Sequence, residues 1–501
     1  MSRPHFDVML RNGSVIDGTG RPAFGADVAF LGNRIAAIGA LREASATLDI
    51  DVRGLVVSPG FIDVHTHDDA ALIVRPQMTA KLTQGVTTVI GGNCGISGAP
   101  YDRQAAPPGL LRLVFKSDQC TASTFGGYVA KVREAGPAVN AGFLTGHCTL
   151  RMQVMGDDLE RPATLGETGQ MKQLLTGCLQ QGSLGLSTGL YYPPARAATT
   201  DEVIGVAAAL REFGAMYASH IRDEADHVIE SLEEALLIGR EAGVRTVVSH
   251  HKCMGQRNFG RSVETLALLA DAQTRQHVAW DVYPYTAAST VLIEDLVAKS
   301  SKTLVTWCDP HPEFCAQDLN DIARKLGCTP LEAIPKLQPA GAVYFLMDEA
   351  DVTRILTSPN AMVGSDGLPE DAHPHPRLWG TFPRVLGRYV RERQVISLES
   401  AVHRMSGLSA QHFGLRDRGR LAVGMCADIC VFDPASVCDT ATFEEPTTPA
   451  AGIHHVFVNG CVALTDRVPT GLRAGRVLLR QERQVELCTD PHAAAAHDHP
   501  S

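Results

Sequence analysis

The sequence predicts an α/β protein built on a (β/α)8 TIM-like barrel, with a small β-sandwich domain formed by both ends of the chain. Eight short apolar segments alternate with helical stretches through the middle of the sequence. Short strands separated by turns occupy both ends. A long excursion separates the seventh apolar segment from the eighth, which predicts an insertion there. A doubly wound open sheet is the second interpretation of the same alternation.

The predicted domain boundaries follow these patterns. In chain order they are the first part of the small β domain at 1–57, the barrel at 58–415 with an insertion or lid at 286–345, the second part of the small β domain at 416–484, and a disordered tail at 485–501. Within the terminal parts, three dipeptides are hairpin signals between apolar runs: Asn12-Gly13, Gly32-Asn33 and Asn459-Gly460. Histidines in the tail are expected to be solvated.

Eight segments of the middle region are the predicted barrel strands. They are 61–67, 87–93, 140–147, 184–189, 216–221, 245–251, 278–283 and 361–365. Helical stretches separate most of them. One runs over 226–241, with Val228, Leu232 and Leu236 along one side.

Composition and charge exclude several classes of protein. The chain has 501 residues, of which 45% are hydrophobic and 20% charged, and its net charge is -10. This balance argues against a nucleic-acid or anionic-membrane surface, which needs clustered Lys and Arg. No apolar run is long enough to span a bilayer, and the N-terminus carries no signal core. Thirteen scattered cysteines without a Cys-x-x-Cys pair predict free thiols in a reducing cytoplasm.

Metal-binding side chains lie at the ends of five of the eight predicted strands. Because the carboxyl ends of barrel strands meet on one face, we expect these side chains to lie close together. His65 and His67 would point the same way from a strand. Imidazole and thiolate ligands together favour one or two zinc ions. The candidate ligands are His65, His67, Cys94, His220, His250 and Asp366.

Four further polar residues have more specific expected roles. Asp366 could accept a proton from a water molecule beside the metal and pass it to a leaving amine. Asp63 is expected to orient the two nearby histidines. His147 ends the third predicted strand and could support the metal ligands without binding the metal itself. His251 follows His250 on the opposite strand face and is expected to pack behind the barrel wall.

Seven segments of the sequence resemble the D-aminoacylases, or N-acyl-D-amino-acid deacylases, of the amidohydrolase superfamily. The likeness runs from the terminal β segments through the whole barrel. Most superfamily members use lysine or glutamate as a bridging ligand, and cysteine at that strand end is similar to this subfamily. The segments are PGFIDVHTHDD (59–69), TQGVTTVIGGNCG (83–95), SHIRDE (219–224), SHHKCMG (249–255), YPYTAAST (283–290), GSDGLP (364–369) and HPHPRLWGTFPRVLG (373–387).

The resemblance implies a role for each matching residue. Cys94, His220 and His250 would form a tight zinc site, which His65 and His67 would complete or extend to a second, weaker ion. Asp366 would be the general base and acid. Lysine and arginine beside such a site supply charge-assisted hydrogen bonds to a substrate carboxylate. The implied carboxylate clamp consists of Lys252, Tyr283, Ser289 and Arg377.

The resulting hypothesis is zinc-dependent hydrolysis of a small-molecule N-acyl-D-amino acid to a carboxylate and a free D-amino acid. Relatives that prefer N-acyl-D-glutamate or N-acyl-D-aspartate resemble one another in having a basic residue in the predicted insertion, where the present sequence has Glu294 and Asp295. Acidic residues there would repel a second substrate carboxylate, so hydrophobic D-side chains such as Leu, Met or Phe are expected. The alternatives are an N-acyl-D-glutamate or D-aspartate deacylase, a cyclic amidase of the dihydropyrimidinase or hydantoinase type, and a non-catalytic scaffold. We expect no nucleic-acid or membrane partner, and a monomer or small homo-oligomer.

Overall fold

A computed structural model of the protein describes residues 4–102, 109–115 and 120–480. The predicted disordered tail at 485–501 lies outside the described residues. Within the described ranges, no helix has the length and apolar character that a membrane span requires.

The described residues form 21 strands. In chain order they are β1 His5–Val15, β2 Phe24–Leu31, β3 Arg34–Gly39, β4 Ser45–Asp51, β5 Val56–Pro59, β6 Phe61–Asp63, β7 Val86–Gly91, β8 Asn140–Phe143, β9 Thr145–Gly146, β10 Gly185–Gly189, β11 Met216–His220, β12 Arg245–Val248, β13 Val278–Val282, β14 Ala287–Val291, β15 Lys302–Cys308, β16 Ala340–Phe345, β17 Ala361–Val363, β18 Ile429–Phe432, β19 Ile453–Val458, β20 Cys461–Thr465 and β21 Val468–Pro469.

Seventeen α-helices cover much of the rest of the described chain. They are α1 Ala71–Val74, α2 Thr79–Leu82, α3 Phe125–Ala135, α4 His147–Met155, α5 Leu165–Gln180, α6 Pro193–Arg196, α7 Thr200–Ala207, α8 Leu210–Phe213, α9 Val228–Ala242, α10 Ser262–Gln273, α11 Glu294–Lys299, α12 Leu319–Leu326, α13 Pro330–Leu337, α14 Glu349–Thr357, α15 Arg377–Arg384, α16 Leu398–Met405 and α17 Gly407–Phe413. A π-helical segment, Val385–Glu392, follows α15.

The two ends of the chain form one nine-stranded sheet. Its order is β21-β20-β19-β18-β5-β1-β2-β3, and β4 pairs with β1. Three strands lie between Phe30 of β2 and Phe457 of β19 in this order, yet their ring centroids are 5.2 Å apart. The sheet therefore folds back on itself around an apolar interior, and the predicted small β-sandwich is confirmed.

The barrel contains eight parallel strand positions, each overlapping a predicted strand. One sheet runs β6-β7-β8, and another runs β17-β13-β12-β11-β10-β9. Leu184 N donates to Phe143 O at 2.8 Å where the two sheets meet beside β8. At the other junction, Thr66 bridges Gly367 and so brings the loops after β6 and β17 together. Closure in this way positions the strand ends on one face.

The insertion after the seventh barrel strand is a small three-stranded antiparallel sheet with helices. Its order is β14-β16-β15, and it packs its own apolar cluster with α11, α12 and α13. The insertion predicted after the seventh barrel strand is confirmed, and its three strands lie between Ala287 and Phe345.

One of the three hairpin predictions is wrong. Gly32-Asn33 joins β2 to β3 and Asn459-Gly460 joins β19 to β20, as expected. At Asn12-Gly13, however, β1 continues to Val15 and the register with β2 shifts. Asn12 has a φ of 61°, so the dipeptide supplies the left-handed residue of a β-bulge instead of a turn.

Candidate active site and metal centre

The ten predicted site residues are gathered at the carboxyl face of the barrel and are all buried, none more than 8% exposed. One detail of the prediction is wrong: β6 ends at Asp63, so His65 and His67 lie in the following loop and not in a strand. They converge nevertheless. His67 Nε2 is 3.2 Å from Asp366 Oδ1, and His65 Nε2 is 3.6 Å from the same oxygen.

Cys94 is the centre of the first group of potential ligands. Its Sγ is 3.3 Å from His65 Nε2 and 3.3 Å from His250 Nε2. Together with an Asp366 oxygen, these atoms all lie within 4.8 Å of one another. A thiolate, two imidazoles and a carboxylate at this separation can share one small cation.

His220 lies beside this group. Its ring centroid is 4.4 Å from that of His250, in an edge-to-face arrangement. Neither His220 ring nitrogen makes a hydrogen bond to a described residue, and the same holds for His67 Nδ1. Buried polar atoms are ordinarily satisfied, so unpaired nitrogens next to a thiolate fit metal binding. This donor set suits zinc.

The backbone at three of these residues is held in an unusual conformation. Cys94, His250 and Asp366 have φ values of 52°, 35° and 50°. Residues other than glycine seldom adopt this left-handed region, and such strain concentrates at functional sites. The three loops therefore turn sharply after β7, β12 and β17, which aims the side chains at a common point.

The charges of the site reinforce one another. Burial raises the pKa of the Cys94 thiol, but the surrounding imidazoles of His65, His250 and His220 together hold it well below its usual range. Burial likewise raises the pKa of Asp366, while Arg377 and His250 bring it well below the ordinary value. A thiolate and a carboxylate are thus both favoured in their charged, ligand-competent forms.

Asp281 supports the ligand loops, a role that sequence reasoning gave to Asp63. Asp281 Oδ1 is 3.3 Å from His65 Nδ1 and accepts a hydrogen bond from His250 N at 2.9 Å. The prediction for Asp63 is wrong, because its oxygens accept from Lys81 Nζ and Ser365 N instead. An acidic residue inside the otherwise apolar strand β13 was the signal available in the sequence.

Glu224 is a second residue that sequence reasoning missed. It is 3% exposed and lies in the loop after β11. Its Oε1 is 2.6 Å from Lys252 Nζ and 3.0 Å from His250 Nδ1. Its position in the SHIRDE segment, four residues after His220, was the only sequence signal.

Two of the predicted clamp residues, Arg377 and Lys252, lie against the ring of a third, Tyr283. The Arg377 guanidinium stacks 4.6 Å from the ring centroid and Lys252 Nζ lies 5.4 Å from it. Arg377 Nη2 donates to the main-chain oxygen of Ser289 at 3.2 Å. The Tyr283 and Ser289 hydroxyls are buried without a hydrogen bond to any described residue. Two cations and two free hydroxyls thus form a site suited to a carboxylate.

Two other histidines considered in the sequence analysis, His147 and His251, lie outside this group. His147 begins helix α4 and does not end a strand, contrary to the prediction, and its Nε2 is 3.3 Å from Glu202. His251 Nε2 is 2.8 Å from Thr265 Oγ1 on α10. This contact agrees with the expectation that His251 packs behind the barrel wall.

Comparison with known families assigns this fold and site to a class. Residues 50–463 match the model of the amidohydrolase family. The chain therefore belongs to the amidohydrolase family. It is 52% identical to a D-aminoacylase of Alcaligenes xylosoxydans xylosoxydans over 95% of this chain and 98% of that one. An N-acyl-D-aspartate deacylase and an N-acyl-D-glutamate deacylase of the same organism are 48% and 46% identical over 94% and 95% of this chain, and 95% and 96% of theirs.

Comparison with solved structures gives the same family. A D-aminoacylase crystal structure matches 95% of this chain and all of its own with a TM-score of 0.92. An N-acyl-D-glutamate deacylase from Bordetella bronchiseptica, complexed with zinc and a phosphonate inhibitor, matches with 44% identity and a TM-score of 0.92 over the same shares. A dihydropyrimidinase from Brevibacillus agri, 17% identical with a TM-score of 0.61 over 95% of this chain and 98% of its own, shares the fold. The predicted resemblance to D-aminoacylases and the predicted hydrolase class are confirmed.

Proposed function

We propose that this protein hydrolyses N-acyl-D-amino acids to a carboxylate and a free D-amino acid. The position of Asp366 carries the proposal: its Oδ1 is 3.2 Å from His67 Nε2, and its Oδ2 is 2.9 Å from Arg377 Nη1. An N-acyl amino acid has an amide bond next to a free carboxylate, so its hydrolase needs a reactive centre beside a cationic cluster. The relatives named as D-aminoacylase and as D-aspartate and D-glutamate deacylases support this substrate class.

Zinc is the metal we propose for the site. Cys94, His220 and His250 would hold one ion tightly, and His65 and His67 would complete that site or hold a second, weaker ion. The relative crystallised with zinc supports the choice of metal, and a D-aminoacylase described as having a binuclear metal centre supports the capacity for two. When bound, zinc supplies Lewis acidity to the amide carbonyl and to the attacking water.

Residues of the protein itself would transfer the proton and bind the substrate. Asp366 takes a proton from the attacking water and delivers it to the nitrogen of the departing amine. Arg377 and Lys252 pair with the substrate carboxylate, and the hydroxyls of Tyr283 and Ser289 donate to it. Because the carboxylate and the amide are fixed at two points, only one enantiomer places its side chain in the remaining space.

We propose hydrophobic D-side chains for the substrate. Leu292 and Leu296 of the insertion are buried in one apolar cluster with Tyr283 and Met254. Glu294 and Asp295 contribute less than the sequence suggested, because both are exposed and Asp295 pairs with Lys299 at 2.7 Å. The apolar neighbours of the clamp are therefore the stronger support.

The test is hydrolysis by zinc-loaded protein of N-acetyl-D-methionine, N-acetyl-L-methionine, N-acetyl-D-aspartate and dihydrouracil. Activity on the D-methionine derivative alone would support the proposal. Preference for the aspartate derivative would replace the hydrophobic side chain with an acidic one. Cleavage of dihydrouracil alone would favour a cyclic amidase, and absence of all four activities would favour a scaffold. The Asp366→Asn variant measures the background rate.

We also propose a cytoplasmic enzyme with a small-molecule substrate, acting as a monomer or small homo-oligomer. Eleven of the described cysteines, Cys120 aside, are free thiols, and most of these are buried, which supports a reducing compartment.

A further inference from the structure

Glu224 contacts three residues of the site, although the roles proposed above leave it without a function. Its Oε1 lies 3.0 Å from His250 Nδ1 and 2.6 Å from Lys252 Nζ. Its Oε2 lies 3.6 Å from His220 Nε2. A single buried carboxylate therefore joins two candidate metal ligands to one residue of the carboxylate clamp.

The orientation of His250 shows what the first contact can do. Nε2 of His250 faces Cys94 Sγ at 3.3 Å, while Nδ1 faces Glu224 on the other side of the ring. An imidazole that binds a metal through Nε2 carries its hydrogen on Nδ1. A carboxylate that accepts this hydrogen fixes both the tautomer and the direction of the ring.

The contact with Lys252 follows from the same arrangement. Lys252 Nζ is 2.7 Å from His250 Nδ1, a nitrogen that cannot accept a hydrogen bond once it carries a hydrogen. Glu224 then remains as the acceptor that holds the ammonium group near the ring of Tyr283. Removal of this carboxylate would also leave a buried cation without its counter-charge.

We propose that Glu224 is a positioning residue that couples the metal centre to the carboxylate clamp. It holds His250 with Nε2 directed at the metal and holds Lys252 at the substrate carboxylate. The Lys252 part rests on the proposed function. The His250 part requires only that zinc binds at the site.

The experiment compares Glu224→Gln and Glu224→Asp with the parent enzyme. Zinc affinity is measured by competition with a chromophoric chelator, and the visible spectrum of the cobalt(II)-substituted protein reports the ligand geometry. We expect Glu224→Gln to weaken zinc binding by about 10- to 100-fold. In this variant, the number of zinc ions bound per protein at saturating zinc should stay unchanged, and the visible absorption bands of the cobalt(II) form should shift. At saturating zinc, KM for N-acetyl-D-methionine rises more than kcat falls. Glu224→Asp recovers part of the zinc affinity, because it restores the charge.

Glu202→Gln is the matched control. Glu202 is also a buried glutamate between a histidine and a cation, with His147 Nε2 at 3.3 Å and the Arg151 guanidinium as its partners, but it does not contact the metal-binding group. This variant should keep the zinc affinity within about threefold even if it loses stability, since its contacts lie outside the ligand set.

Four outcomes would overturn the proposal. Unchanged zinc affinity in Glu224→Gln would remove the role toward His250. Loss of a zinc equivalent that saturating metal does not restore would make Glu224 a ligand instead of a positioning residue. An unchanged KM would remove the link to Lys252. An equal loss of affinity in Glu202→Gln would indicate a general structural effect.

If Glu224→Gln does not fold, as judged by circular dichroism, the Glu224→Asp variant decides the His250 part. Weaker zinc binding by Glu224→Asp than by the parent would support that part, and equal binding would contradict it. Absence of any hydrolysis would contradict the proposed function while leaving the zinc measurements valid.

Discussion

The guanidinium of Arg377 lies 2.9 Å from the carboxylate of Asp366, and both side chains are buried. Arg377 also stacks on Tyr283, so the proposed base is in direct contact with the proposed substrate clamp. A substrate carboxylate bound to Arg377 would therefore lie next to Asp366, the proposed base. Positioning of this kind lowers the barrier because the reacting groups are already aligned.

Replacement of Arg377 by methionine should shift the pH dependence of activity. Burial raises the pKa of Asp366, and Arg377 is the first of the neighbouring charges that lower it. Loss of the guanidinium therefore raises the Asp366 pKa, and the acid limb of kcat/KM moves to higher pH. KM should also rise, because one clamp cation is lost. The measurement is kcat/KM against pH with N-acetyl-D-methionine.

Arg384→Met is the matched control for this experiment. Arg384 stacks on Tyr285 at 4.5 Å and pairs with Asp439 at 2.8 Å, so it repeats the arginine–tyrosine–aspartate arrangement away from the metal-binding group. In the Arg384→Met variant, the acid limb of kcat/KM should stay at the same pH as in the parent enzyme. An unmoved limb in Arg377→Met would contradict the assignment of Asp366 as the titrating base.

The Asp366→Asn variant should lose activity without losing its tightly bound zinc. General acid–base catalysis contributes about 10²- to 10⁴-fold, so kcat should fall by roughly that factor or more. The proposed tight ligands Cys94, His220 and His250 are untouched, so metal analysis should find the zinc content of the tight site retained. Activity within tenfold of the parent would exclude Asp366 as the proton carrier.

Cys94→Ser should weaken zinc binding, with a smaller effect on the free energy of unfolding. The Cys94 thiol sits between two imidazole nitrogens at 3.3 Å, and its pKa lies well below the usual range. A serine hydroxyl is not deprotonated in this way and is a poorer zinc ligand. Zinc titration measures the effect, and Cys148→Ser, a change at a buried cysteine on α4, provides the comparison. Equal affinities in the two variants would argue against Cys94 as a ligand.

The fold was predictable because its strands carry a strong local signal. The barrel strands are buried on both faces apart from the half-buried Arg245 of β12, so most of them form short apolar runs, and β11 and β13 match their predicted starts. Strand ends carry a weaker signal. The spacing of His65 and His67 suggested a shared strand face, but β6 had already ended and the loop brings the two rings together.

The supporting residues could not be predicted, because their partners lie far away in the sequence. Asp281 meets His65 across 216 positions of the chain, and no local pattern records such a contact. Lys81 is a similar case. It lies on the short helix α2 and in none of the predicted sites, yet it is buried beneath the loop that carries Asp366. Only barrel closure reveals these pairs.

Lys81→Met should destabilise the protein strongly. Lys81 Nζ lies 2.7 Å from Asp63 and 3.1 Å from Asp68, and donates to Ser365 Oγ at 3.0 Å, with every one of these residues almost fully buried. Methionine leaves two buried carboxylates without their cation, a loss of about 3–5 kcal/mol in the free energy of unfolding at neutral pH. Urea unfolding of the metal-free protein measures it. Lys302→Met, at an exposed lysine of β15, should change stability by no more than about 0.5 kcal/mol. If Lys81→Met costs less than about 1 kcal/mol, water must reach the two carboxylates, and the tie between the β6 and β17 loops is weaker than its contacts indicate.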